Sequence, residues 1–188
     1  MKALVLFASP RRKNTYLITK GFIKGLEENK IEVVFIDVTK LNISHCISCN
    51  FCLKEEKCFI KDDMDKILEL IKQCEILVLS SPVYFGTVTS YLKVLIDRCQ
   101  ILYNKRFVLK SEKDINKKGY MIFTAGGKNE KMLGSMELVA KFFMLSCGAK
   151  LEKMIYFLNT DEREVGDKEV ELAYKIAKEI TNNYMFNI

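Results

Sequence analysis

Four cysteines lie close together in one short segment: Cys46, Cys49, Cys52 and Cys58, in the pattern C-x2-C-x2-C-x5-C. Four thiolates at this spacing can surround one metal centre. Structural zinc sites usually take their cysteines from two separated pairs, whereas three cysteines at x2 spacing are typical of cubane iron–sulfur sites. The spacing therefore favours a [4Fe–4S] cluster. A zinc site, a dithiol pair and a metal-free segment remain as alternatives.

A second group of reactive side chains lies near the start of the chain, in Ser-Pro-Arg-Arg-Lys-Asn-Thr over residues 9–15. Hydroxyls from Ser9 and Thr15, a guanidinium and free amides at a helix N-terminus would suit a phosphate group. The segment has neither the GxGxxG of dinucleotide folds nor the GxxxxGK[ST] of a P-loop. It therefore predicts a monophosphate site, with a polar turn and helix cap as the alternative.

Two further loops contain glycines, and the first of them also carries aromatic rings. In the first, Tyr84 and Phe85 follow an apolar run, and Gly86 would allow close approach of the backbone. Rings at a ligand-binding edge can flank a flat ring system, although they could also simply cover the end of the sheet. The second loop, residues 124–127 (Thr-Ala-Gly-Gly), is another close-approach turn.

The elements that would position these loops follow from apolar runs and helical spacing. The predicted strands are Lys2–Ala8, Ile31–Asp37, Ile76–Leu79, Gly119–Thr124 and Lys150–Leu158. The predicted helices are a helix capped by Asn14 and Thr15 that runs to about Glu28 with Leu17 on its apolar face, then Asp63–Cys74, Val88–Leu102, Met132–Leu145 and Lys168–Asn182.

Five strands alternating with five helices predict an α/β fold: a five-stranded parallel sheet with helices on both faces. The flavodoxin-like three-layer sandwich with strand order 2-1-3-4-5 is favoured, and the six-stranded Rossmann order is the alternative. Ligands of such sheets bind beyond the carboxyl ends of the strands. This edge would carry loops 9–14, 38–62, 80–87 and 125–131, which contain or directly adjoin all the groups above.

Bulk properties set limits on the class of protein. The 188 residues fit a single domain, 1–188, with a cysteine-rich loop at about 38–62. Cys74, Cys99 and Cys147 lie in apolar surroundings and indicate core packing. The net charge of +6 comes from lysines mixed with acidic residues, which argues against nucleic-acid binding. No segment has the length of a signal peptide core or membrane span, so we expect a cytoplasmic protein without membrane contact.

The ordered combination of these motifs resembles a known family. SPRRKNT, CISCNFCLKEEKC with the following IKDDM, SSPVYFGTVTSYLKVLIDR and TAGG are similar to segments of the NADPH-dependent FMN reductase-like proteins, and within them of the iron–sulfur flavoproteins. The resemblance extends from Met1 to about Leu158. It implies a flavodoxin-like fold, bound FMN, a [4Fe–4S] cluster on the compact cysteine motif, and a homo-oligomer such as a dimer or tetramer.

By position, the resemblance implies that Ser9, Arg11, Asn14 and Thr15 hold the FMN phosphate. The isoalloxazine ring would lie along Pro82, Val83, Tyr84, Phe85 and Gly86. Its edge would approach Thr124, Ala125, Gly126 and Gly127. Two residues depart from the pattern of many relatives: Ala8 replaces a glycine, and Phe85 replaces a tryptophan while keeping an aromatic wall.

The expected function is an FMN-dependent oxidoreductase that passes electrons from NAD(P)H through FMN to an unidentified small-molecule or protein redox partner. The cofactor carries this chemistry, so no catalytic side chain is predicted. An electron carrier fed by a ferredoxin-like partner, without NAD(P)H activity, is the alternative. A zinc-stabilised α/β binding domain without flavin is a third hypothesis.

Overall fold

A computed structural model describes residues 1–182 and contains one five-stranded parallel sheet in the order β2-β1-β3-β4-β5. The strands are β1 Lys2–Phe7, β2 Glu32–Asp37, β3 Ile76–Pro82, β4 Lys117–Thr124 and β5 Ala149–Phe157. Each neighbouring pair is parallel, so the carboxyl ends of all five strands lie at one edge. The predicted flavodoxin-like order is confirmed.

Helices connect the strands and cover both faces of the sheet. They are α1 Asn14–Glu28, α2 Phe51–Glu55, α3 Met64–Gln73, α4 Ser90–Arg98, α5 Gln100–Tyr103, α6 Lys131–Ser146 and α7 Asp167–Asn182. A 3₁₀ turn, Val38–Lys40, follows β2, and a π-helical turn, Asn104–Val108, follows α5. The predicted helix Val88–Leu102 is therefore divided into α4 and α5.

The core has two parts, one on each face of the sheet. On one face, α1 and α7 pack against alternate residues of β1 and β3, such as Val5 and Val78. On the other, α3 to α6 pack against the residues between them, such as Leu4 and Leu77. Nearly every residue of β1 and β3 is buried, as their continuous apolar sequences predict for strands covered on both faces.

The predicted N-terminal cap of α1 is wrong. The N-cap residue is Lys13, and no side chain of the described residues caps the helix. The Asn14 Oδ1 instead accepts a hydrogen bond from Val165 N, and the Thr15 hydroxyl bonds to the Thr124 hydroxyl. Leu17, expected on the buried face, is half-exposed. Tertiary partners thus outcompete local capping at this end of the helix.

The three cysteines outside the cysteine motif lie in the core. Cys74, Cys99 and Cys147 are buried, which confirms their expected core packing. Burial raises the pKa of Cys74 to about 11 and raises that of Cys147 strongly, so both thiols are poor nucleophiles. Within residues 1–182, no helix combines the length and apolar character needed to cross a bilayer. The single-domain boundary 1–188 stays a prediction.

Candidate functional site

A polar cavity of about 220 Å³, here called the strand-end cavity, brings together loops that follow four of the strands. Its predicted lining residues are Ser9, Arg11, Asn14, Thr15, Pro82, Val83, Tyr84, Thr124 and Gly126. Four predicted site residues do not line it: Phe85, Gly86, Ala125 and Gly127. The parallel sheet explains the meeting of these loops, because each follows the carboxyl end of its strand.

Two cations at this cavity have no carboxylate partner. Within residues 1–182, no ion pair holds the Arg11 or Lys13 side chain, and both residues are exposed and line the cavity. Arg12, between them, points elsewhere: its Nη2 lies 2.6 Å from Asp37 Oδ2, and its guanidinium lies over the rings of Phe7 and Tyr16. The first-turn amides of α1 also lack acceptors within the helix. This end of the cavity is suited to an anion.

The predicted hydroxyls shape the loop through internal hydrogen bonds. Ser9 Oγ donates to Arg11 O at 2.9 Å and accepts from Arg11 N at 3.3 Å. Thr15 and Thr124, both buried, share a hydroxyl hydrogen bond of 2.6 Å that joins the start of α1 to the end of β4. These bonds hold residues 9–14, here called the basic loop, against the sheet and leave the cations of the loop at the surface.

The loop that carries Tyr84 and Phe85, here called the aromatic loop (residues 83–87), forms a tight turn after β3. Tyr84 and Thr87 exchange two backbone hydrogen bonds, of 2.8 and 3.1 Å, around Phe85 and Gly86. Both central residues have positive φ, +50° for Phe85 and +77° for Gly86, which is the type I′ pattern. Tyr84 lines the cavity, whereas the Phe85 side chain is fully exposed. The turn therefore displays one ring beside the cavity and one in solvent.

The loop after β5 supplies three cavity residues that the sequence did not indicate: Thr160, Asp161 and Glu164. A fourth, Lys13, comes from the basic loop. Thr160 N and Asp161 N donate to the carbonyls of Ala125 and Gly126, so this loop is bonded to the loop after β4. Its position after the last strand was the available signal, because that places it at the same edge of the sheet.

All four predicted cysteines line a second cavity of about 370 Å³, here called the cysteine cavity. The two cavities have no lining residue in common. Cys49 is exposed and the other three are half-buried. The chain turns around the cavity through left-handed residues Ser48 and Asn50, with φ of +53° and +58°. Such positions bend an otherwise extended segment and bring the thiols to one cavity.

Residues far along the chain complete the wall of the cysteine cavity. Arg98 and Gln100 line it, and Asn104 Nδ2 donates a hydrogen bond of 3.1 Å to Cys52 Sγ. None of these three residues was predicted from the sequence to border the cysteines. Within residues 1–182, no three cysteine, histidine or acidic side chains are arranged to hold a metal ion. The thiols border a cavity without converging on a point.

Comparison with known proteins extends these observations. The family model described as NADPH-dependent FMN reductase matches residues 1–157. An iron–sulfur flavoprotein of Methanocaldococcus jannaschii is 34% identical over 146 residues, covering 77% of this chain and 72% of the relative. An iron–sulfur flavoprotein of Archaeoglobus fulgidus is 30% identical over 186 residues, covering 98% of this chain and 80% of the relative.

Solved structures show the same fold at lower identity. An NAD(P)H:quinone oxidoreductase from Methanothermobacter marburgensis has a TM-score of 0.74 at 20% identity. The match covers 100% of this chain and 98% of the oxidoreductase chain. An FMN-dependent NADH-azoreductase from Bacillus anthracis, solved in complex with FMN, has a TM-score of 0.68 at 15% identity, covering 97% of this chain and 98% of its own. Sequence and fold agree, and this chain belongs to the NADPH-dependent FMN reductase family of oxidoreductases.

Proposed function

We propose that this protein passes electrons from NAD(P)H through bound FMN to an acceptor, and that Cys46, Cys49, Cys52 and Cys58 hold a [4Fe–4S] cluster. The observation that carries the flavin assignment is that Arg11 and Lys13, which have no carboxylate partner among the described residues, line the same cavity as the ring of Tyr84. A ligand with one phosphate group and one flat ring fits both the cations and the aromatic side chain of this cavity. FMN has this form, and the family assignment agrees with it.

The site residues would divide their work by position. Arg11, Lys13 and the first amides of α1 would bind the phosphate, with Ser9, Asn14 and Thr15 holding that loop in place. Tyr84 would border the ring, and Thr124 and Gly126 would lie at its edge. Bound FMN supplies hydride and single-electron transfer, so the protein's part is to bind, orient and shield it. Phe85, Gly86, Ala125 and Gly127 remain predicted flavin contacts outside the cavity lining.

Three observations support a metal centre in the cysteine cavity, and the x2 spacing of three of its cysteines favours a cluster over a single zinc ion. All four thiols border one cavity. The wall includes the buried Arg98 cation, and Asn104 donates to Cys52 Sγ. A cation and N–H donors stabilise thiolates and the sulfurs of an iron–sulfur cluster. The names of the two archaeal relatives agree with this donor set.

Anaerobic purification with metal analysis and an absorption spectrum tests both parts. We expect FMN rather than FAD, about four irons per chain and no zinc. Cys49→Ala should lose the iron and keep FMN, because the two cavities share no residue. Cys74→Ala, which removes a buried thiol outside both cavities, is the matched control and should keep both. Zinc, or four free thiols without iron, in anaerobically prepared protein would refute the cluster.

A second function, an electron carrier reduced by a ferredoxin-like protein without NAD(P)H activity, is favoured by the cysteine cavity alone. Anaerobic mixing of FMN-loaded protein with NADH or NADPH separates the two functions. Rapid loss of the oxidised flavin absorbance supports the reductase. If the flavin stays oxidised with both nucleotides but is reduced by a ferredoxin, the carrier function is correct.

A further inference from the structure

We propose that Arg98 and Asp62 form a buried clamp that closes the two ends of the cysteine segment, residues 44–62, and so positions its thiols around the cavity. Both are positioning residues in this proposal and neither is a ligand. The clamp would explain how the proposed cluster ligands are positioned. Only the iron measurements below depend on the proposed cluster.

The clamp is built from contacts on both sides of the cysteines. Arg98 Nη1 donates to Ser44 O at 2.8 Å, just before the motif, and Arg98 Nη2 donates to Ile60 O at 3.2 Å, just after it. Both nitrogens also reach the Asp62 carboxylate, at 2.6 and 3.2 Å. Asp62 Oδ2 in turn accepts from Ser44 N at 2.9 Å. One guanidinium and one carboxylate thus join the start of the segment to its end.

The burial of this ion pair indicates a geometric role. The Arg98 side chain is 1% exposed and that of Asp62 is 6% exposed. An ion pair taken out of water adds little net stability, because the desolvation of both charges offsets their attraction, whereas loss of one partner is strongly destabilising. A lysine could keep the charge but not the planar fork that reaches two carbonyls and a carboxylate together. What a guanidinium adds at this position is a fixed separation between Ser44 and Ile60.

Arg98 has one further donor, and the residue lines the cysteine cavity. Its Nε is buried and has no hydrogen-bond partner in the part of the chain that the structure describes. Cys58 is close enough to influence Arg98: burial acts to lower the arginine pKa, but the Asp62 hydrogen bond and the Cys58 thiol outweigh it and raise the pKa. Arg98 is also the one cation among the described residues that line this cavity. An anionic sulfur group would find its counter-charge there.

Hydrogen exchange of the metal-free protein tests the clamp without any cluster. Arg98→Lys should increase amide exchange across residues 45–61 by at least tenfold. Arg106→Lys is the matched control, because Arg106 is another buried arginine that binds two carbonyls, those of Ser146 and Asp114, away from the cysteine cavity. Its effect should appear near residues 104–114 instead. If Arg98→Lys leaves exchange over 45–61 as in the parent protein or the control, the clamp is refuted.

Iron retention provides a second measurement. After anaerobic reconstitution, Arg98→Lys and Asp62→Asn should each release iron to a chelator at least tenfold faster than the Arg106→Lys control, with FMN content unchanged. Iron loss at the control's rate would overturn the positioning role. If the parent protein itself takes up no iron, the cluster assignment fails, and the exchange measurement alone then supports or refutes the clamp.

Discussion

Two neighbouring arginines, Arg11 and Arg12, show how single residues of one loop take different roles. Arg12 is held by Asp37 and by aromatic rings, whereas Arg11 lines the strand-end cavity and has no carboxylate partner within residues 1–182. The Asp37 carboxylate already neutralises the Arg12 guanidinium and orients it away from the cavity. Arg11 is therefore the arginine that we expect to bind the anion.

Arg11→Ala should weaken FMN binding by about tenfold or more, the loss expected when a charge-assisted hydrogen bond worth about 1.5–3 kcal/mol is removed at an exposed site. Titration of the flavin-free protein with FMN, followed by flavin fluorescence, measures this change. Arg12→Ala is the control and should leave the affinity within about twofold. If Arg11→Ala keeps its FMN affinity and binds FAD better, the phosphate assignment is wrong.

Phe85 occupies a backbone conformation that disfavours its own side chain. Its φ of +50° lies in the left-handed region, which costs a non-glycine residue about 1–2 kcal/mol, and its ring is fully exposed. Phe85→Asn creates the Asn-Gly pair that type I′ turns prefer. We expect the flavin-free variant to gain about 1 kcal/mol in free energy of unfolding and to bind FMN more weakly.

Urea denaturation and FMN titration of the same Phe85→Asn preparation test the two effects separately. Unchanged stability would contradict the strain argument. Unchanged FMN affinity would show that the ring makes no contact with the flavin, and the turn would then serve only to connect β3 with α4.

At the scale of elements, α1 and α7 pack at close range through glycines. A Cβ added at Gly25 would lie 2.5 Å from Tyr174 O and 2.7 Å from Ala177 Cβ. The backbone of α7 can relieve such a close contact only if the whole helix moves. Gly134, in α6, is different, because a Cβ there would meet no atom of the described residues within 4 Å. The two helical glycines thus form a matched pair.

Gly25→Ala should lower the free energy of unfolding by about 1–2 kcal/mol, since overpacking outweighs the gain in helix propensity. Gly134→Ala should raise it by about 1 kcal/mol, because only the propensity changes. Urea denaturation of both variants provides the comparison. A stabilised Gly25→Ala would show that α7 can shift away from α1 at little cost.

At the scale of the whole molecule, the Asp62 carboxylate links the stability of the cysteine segment to pH. Burial acts to raise the pKa of Asp62, but hydrogen bonds from Arg98, Ser44 and Met64 outweigh it, and the pKa lies below its usual 3.8. A carboxyl with a lowered pKa adds stability that is complete above the unfolded-state value. That stability is lost as pH falls through the folded-state value.

The difference in free energy of unfolding between the parent protein and Asp62→Asn should therefore be constant at neutral pH and shrink below about pH 4. Urea denaturation of the metal-free proteins at a series of pH values measures it. A difference that stays constant into acid would mean that the Asp62 pKa is not lowered by the fold.

The sequence by itself predicted the five strands, the main helices and the loops that contain the site, and it favoured the strand order that the structure has. Continuous apolar runs such as Lys2–Phe7 and helical spacing in Met64–Gln73 are local patterns, and parallel strands with right-handed connections leave few topologies. The cysteine motif is local as well, because its four members lie within one segment.

Only the tertiary structure decided which side chains work together. Asn14 bonds to Val165 rather than capping its helix, Thr15 bonds to Thr124, and Arg98 bonds to Asp62. These partners are separated by 151, 109 and 36 positions, respectively. Contacts at such distances leave no periodic pattern in the sequence, because they arise when separate elements pack on one sheet. The residue types indicated the chemistry, and the packing assigned each residue its partner.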